Sequence, residues 1–115
     1  MKPKEYYEEK IRAYQHRLAA ELERARREGA TLQDEARREF EEKIAELQAM
    51  RDDANRRART LMEAGHESWR DLERGLAQSY DAVFEATRNA MRRFGLPSEE
   101  ERDSRAEQRR RQAGR

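Results

Sequence analysis

The 115-residue chain has no cysteine. That excludes disulfides, thiolate metal ligands and cysteine nucleophiles, and it fits a reducing compartment. Proline is nearly absent: Pro3 and Pro97 flank a long stretch with no strand-like alternation and no Pro- or Ser-rich linker. Long apolar runs are missing too. None approaches the roughly 18 residues of a membrane span, and the first twenty residues lack the apolar core of a secretory signal. The sequence therefore predicts a cytoplasmic protein. Large core-building residues are scarce, with Leu, Ile, Val and Phe supplying only 14 positions, whereas alanine supplies 17. Alanine forms helix readily but buries little area, so the composition favours helix and argues against a large self-sufficient core. Association with further copies is the expected remedy.

An excess of one charge is the last absence. Charged residues make up 44% of the chain, yet 26 basic and 25 acidic side chains leave a net charge of +1. This differs from the self-repelling composition of a disordered chain and leaves no unbalanced basic face for nucleic acid. The arginine clusters Arg56-Arg57-Ala58-Arg59, Arg92-Arg93 and Arg109-Arg110-Arg111 stand near acidic residues such as Asp52 and Asp53.

What is present is helical periodicity. Every eleventh residue from Tyr14 to Met91 is apolar: Tyr14, Ala25, Ala36, Leu47, Ala58, Trp69, Tyr80 and Met91. Eleven residues make three helical turns, so such a ladder keeps one stripe on one side of a long helix. Three heptad runs underlie it: Ile11, Leu18, Ala25, Leu32; Phe40, Leu47, Ala54, Leu61; and Met62, Trp69, Leu76, Val83, Ala90. Read as one helix, the phase jumps between runs are stutters, and the supercoil is straight or weakly right-handed.

The pattern predicts an all-α protein whose residues 4–95 form long helices in a coiled coil or helical hairpin, followed by a disordered charged tail over 96–115. Pro3 suits a first helical turn, and Gly95 before Pro97 suits a stop after Phe94. Gly29 is the expected turn or kink near 29–31, with Thr31 and Asp34 resembling an N-cap pair. The ladder crosses Gly65 undisturbed, which predicts continuity there. Breaks at both glycines would instead give three arms of similar length and a compact three-helix bundle. Acid-before-base pairs four apart, including Glu8–Arg12, Glu23–Arg27, Asp34–Arg38, Glu39–Lys43, Asp52–Arg56 and Asp53–Arg57, mark solvated helical faces.

Chemical signatures are weak. Glu63 and His66 have the Glu-x-x-His spacing of di-iron bundles, but one pair without dedicated further carboxylates reads as an exposed histidine. No Ser-His-Asp logic or phosphate loop occurs, so the sequence predicts no enzyme, no cofactor and no metal. Large apolar residues concentrate in the last third: Leu61, Met62, Trp69, Leu72, Leu76, Tyr80, Val83, Phe84, Met91 and Phe94. There the stripe widens from a seam to a bundle-type face. These ten are the expected interface, with Trp69 and Tyr80 as anchors and a second copy as partner in a homo-oligomer, expected to be a dimer. Other helical proteins are further candidate partners. Eleven-residue amphipathic repeats also lie on lipid, so a membrane surface is the alternative partner, while nucleic acid is disfavoured.

Ser68-Trp69, Asp71-Leu72, Gly75, Tyr80, Ala86, Ala90 and Phe94 resemble the A-W-x-D-L-x-x-G-x-x-x-A-W-x-x-L-x-x-A signature of small bacterial coiled-coil stress-response proteins. Phe40, Lys43-Ile44, Leu47, Arg51-Asp52 and Ala54 are similar to that family's Y-x-K-I-x-x-L-x-x-R-D-x-A stretch, and Lys4-Glu5-Tyr6 resembles its opening. Tyr80 stands where a second Trp is common, and Gly65-His66 where Ser-Gly is common. The resemblance spans residues 4–95 and implies a helical, non-catalytic protein with a structural or protective role under stress.

Overall fold

The computed structural model describes residues 4–64, 69–97 and 107–112. Three α-helices make up its body: α1 (Lys4–Gly29), α2 (Asp34–Ala64) and α3 (Trp69–Arg93). Each packs against the other two. The arrangement is the three-helix bundle, not an extended rod. Its longest dimension is 53 Å, against the ~135 Å that ninety residues of unbroken helix would span.

The buried members of each heptad run share one helix, although Leu32 of the first run lies in the α1–α2 connection and Met62, the first member of the third run, lies on α2. Ile11, Leu18 and Ala25 are buried on α1, and Phe40, Leu47 and Ala54 on α2. Leu76, Val83 and Ala90 are buried on α3. All nine belong to one cluster between the helices. The first jump falls at the α1–α2 turn; the second, between Leu61 and Met62, falls near the end of α2, and the third run continues across the reversal onto α3. The eleven-residue ladder survives both changes of helix, but Ala36, one of its members, is exposed in the first turn of α2. Because α2 and α3 pack side by side, the continuity expected at Gly65 gives way to a reversal between Ala64 and Trp69. Gly65 itself lies outside the described residues.

The turn expected near Gly29 is present, with different capping. Thr31 Oγ1 donates to the Glu28 carbonyl at 2.6 Å, and the Thr31 amide donates to the same oxygen at 3.1 Å. Thr31 thus closes α1; the first carbonyl used by α2 is that of Gln33, which accepts from the Arg37 amide. Asp34 takes a left-handed backbone conformation, with φ 54°. Gly29 is buried at the end of α1 and faces Phe40, whose ring occupies the place a β-carbon would take. Phe40 meets Phe94 edge-on at 5.1 Å, joining this end of the bundle.

α3 ends in a Schellman motif. The Leu96 amide donates to Met91 O at 2.8 Å and the Gly95 amide to Arg92 O at 3.1 Å, with Gly95 at φ +71°. The motif folds Leu96 back into the core, where it is 7% exposed. Leu96 therefore belongs to the bundle rather than to the tail. Residues 107–112 are helical and include an Arg111–Glu107 ion pair. The remaining tail positions, 98–106 and 113–115, on which the expectation of disorder also rests, lie outside the described residues.

Surface pairing follows helical geometry. Glu8–Arg12 and Asp53–Arg57 form as expected. Glu23 instead meets Arg26, Arg38 meets Glu35, Lys43 meets Glu46 and Asp52 meets Arg51. Pairs this exposed contribute about 0–1 kcal/mol each.

Candidate functional site

A polar network links the three helices, running from the exposed Lys10 past the edge of the apolar core. Glu73 on α3 is 7% exposed. It accepts from Tyr14 Oη at 3.2 Å and pairs with Lys10 Nζ at 3.4 Å, both on α1. The Tyr14 ring stacks on Tyr80 at 5.8 Å, and Tyr80 Oη donates to Asn55 Oδ1 on α2 at 2.8 Å. The neighbouring Glu73 carboxylate raises the Lys10 pKa above its usual 10.5. Burial first, and Glu73 second, raises that of Tyr14 above 10.0. Burial does the same for Tyr80. All three groups are held in the protonated form they carry at neutral pH. The network ties α1, α3 and α2 in one register; it has the properties of a structural clasp rather than of an acid–base centre.

The expected interface residues divide into three sets. Leu76, Tyr80, Val83, Phe84 and Met91 are buried within the chain against the other helices. Leu61, Met62 and Phe94 pack partly buried against the same core. Trp69 and Leu72 remain half-buried. Most of the stripe is thus satisfied by α1 and α2 of the same molecule.

Two faces carry hollows: one of about 440 Å³ lies between α1 and α2 at Gly29, Phe40 and Ile44, with Arg26, Arg37 and Glu41 around it, and a less polar groove lies between α2 and α3. One hollow of this groove, of about 490 Å³, is lined by Leu61, Leu72, Gly75, Leu76 and Ser79, with Arg57 and Asp71 at its rim. A second hollow, of about 210 Å³, lies along Met50, Ala54, Ser79, Ala82 and Val83. Arg57 and Ser79 line both, so the two form one groove. Asp53 holds the Arg57 guanidinium at 3.0 Å. Met50, 41% exposed, is one of the two large apolar side chains most open to solvent among the described residues. The other, Tyr6 at 37%, stands at the end of the bundle where α3 begins, with Lys10 over its ring and Lys4 over Trp69.

Met50, Gly75, Ser79 and Ala82 escaped a sequence reading weighted toward large apolar residues. Their signal was an absence of charge. Along the exposed edge of α3, Gly75, Gln78, Ser79, Ala82, Ala86 and Asn89 carry none, in a chain that is 44% charged.

Glu63 is exposed, and its candidate partner His66 lies outside the described residues. Among the described residues no group of three or more His, Asp or Glu side chains could hold a metal ion, and no helix is long and apolar enough to cross a membrane. Neither family models, nor curated proteins, nor solved structures yielded a match to this chain.

Proposed function

We propose that this protein is a non-catalytic helical association module that works in the cytoplasm by binding a second copy of itself. One observation carries the reading. After the three helices have covered most of their apolar stripe, an apolar groove flanked by Met50, Leu61 and Leu72 stays open on one face. Grooves of this shape accept the face of another helix. The resemblance to coiled-coil stress-response proteins suggests a structural or protective setting for that association.

Light scattering from the full chain over about 1 µM to 1 mM tests the reading, since micromolar-to-millimolar dissociation constants correspond to small interfaces with few anchors. The weight-average mass is expected to rise from the 13.8 kDa of one chain toward twice that value. A mass that stays at one chain throughout overturns it.

A lipid-binding reading draws on a different feature, the Tyr6–Trp69 end with Lys4 and Lys10 over its rings. Aromatic rings beside lysines suit the membrane interface. Under the self-association reading Trp69 fluorescence is unchanged by anionic vesicles. A blue shift with co-flotation of the protein favours lipid.

A further inference from the structure

We infer that the second copy docks on the α2–α3 groove about a two-fold axis at Ala82, with the two α3 helices antiparallel. The inference rests on the self-association proposed above and adds its face and direction.

The face is set by what lines it. Gly75, Ser79, Ala82, Ala86 and Asn89 follow one another at spacings of four and three residues, the spacing of a helix–helix seam. Gly75, Ser79 and Ala82 border the two hollows of the groove. A β-carbon built on Gly75 meets no neighbouring atom within 4 Å, so the surface there is open. No large side chain on this edge holds an incoming helix away; the charges beside it are Asp53 and Arg57 of α2, which pair with each other at 3.0 Å, and Glu85 one turn from Ala82 on α3.

The direction is set by charge. The uncharged edge ends at Asp71 on one side and Arg93 on the other, and among the described residues neither makes an ion pair. Asp71 lies eleven residues before Ala82 and Arg93 eleven after it. Eleven residues are three turns, so both return to the azimuth of Ala82. In an antiparallel pair centred on Ala82, Asp71 faces the partner's Arg93, and Arg93 faces the partner's Asp71. Gly75 then opposes the partner's Asn89. A parallel pair would set Asp71 against the partner's Asp71 and Arg93 against the partner's Arg93, two like-charge contacts that disfavour it. The antiparallel arrangement is isologous and closed, as a dimer requires. Met50 borders the hollow beside Ala82, so each copy brings one exposed methionine next to the axis.

The absence of cysteine gives a direct test. Ala82→Cys places one thiol at the axis, where two helices in close contact bring the α-carbons within disulfide range. Under mild oxidation the full-length Ala82→Cys protein is expected to cross-link to a dimer. Ala45→Cys, on the exposed α1–α2 face, is the control and is expected to remain monomeric on denaturing gels. In parallel, Asp71→Arg and Arg93→Asp should each weaken dimerisation about tenfold, and the double swap should recover it to within about threefold of the original. Each swap opposes the helix macrodipole and costs some fold stability additively, so recovery in the double variant reports facing charges. Circular dichroism verifies that each variant folds. If light scattering shows a dimer while Ala82→Cys fails to cross-link and the double swap loses affinity additively, this geometry is overturned and self-association stands. If the unmodified chain is monomeric throughout, both fall together.

Discussion

The Phe40 ring stands where a β-carbon of Gly29 would be, so the last residue of α1 and the second turn of α2 are in direct backbone-to-ring contact. A methyl group at Gly29 has to displace a ring that also packs edge-on against Phe94. Gly29→Ala is expected to destabilise the fold by about 1–3 kcal/mol, as overpacking does. Gly75→Ala meets open space on an exposed helical surface and should raise stability by about 0.5–1 kcal/mol through helix propensity. Thermal unfolding of the two variants, which carry the same chemical change, should therefore move in opposite directions.

The polar clasp predicts alkaline sensitivity. Lys10, Tyr14 and Tyr80 all have pKa values raised by folding, so above pH 10 the folded state holds more protons than the unfolded one. Stability then falls as pH rises. Their contribution is fully present below the unfolded values, near 10.0 for tyrosine and 10.5 for lysine, and is lost as pH climbs through the raised folded values. Denaturant unfolding should show little dependence on these groups from pH 6 to 9 and a decline beyond about pH 10. The Tyr14→Phe, Tyr80→Phe double variant should flatten that decline. It should cost about 1–2 kcal/mol at neutral pH for two lost hydrogen bonds.

Leu76 and Met50 separate folding from association. Leu76 is 3% exposed and Met50 is 41% exposed. Leu76→Ala should cost about 2–4 kcal/mol of fold stability by opening a cavity. Met50→Ala should leave stability within about 0.5 kcal/mol while weakening self-association. Chemical denaturation at low protein concentration reads the first effect, and light scattering reads the second. The expectation that Leu76 serves chiefly as a contact between copies gives way here to a role inside one chain.

Leu96 lies beyond the last helix, yet the Schellman closure puts it in the core. Leu96→Ala should cost about 2–3 kcal/mol, more than expected of a residue outside any regular element. Urea unfolding at a single temperature measures it.

The helical class and most of the three core stripes were legible because amphipathic spacing survives in the sequence: Ile11, Leu18 and Ala25 face the core as their period requires. The second chain reversal was not legible. A ladder counted in residues keeps its phase across a turn of suitable length, and it cannot distinguish a helix that continues from one that folds back. Leu96 was hidden by the rule that a glycine–proline stop ends structure; the same Gly95 allows the next residue to return to the core. The groove was invisible for a different reason. Its α3 side consists of Gly75, Ser79 and Ala82, which carry no weight in a search for large apolar anchors. Trp69, the most conspicuous residue in the sequence, instead lies half-buried beneath Lys4 at one end of the bundle.

Small-angle X-ray scattering of the full chain across a concentration series tests the central claim, a compact bundle that pairs through one open face. At the lowest concentration the forward scattering should give one 13.8 kDa chain with a longest dimension near 53 Å. With rising concentration the mass should double while the longest dimension grows only modestly, because antiparallel bundles lie side by side. A longest dimension near the ~135 Å of a continuous helix, or a mass that never rises above one chain, would contradict the account.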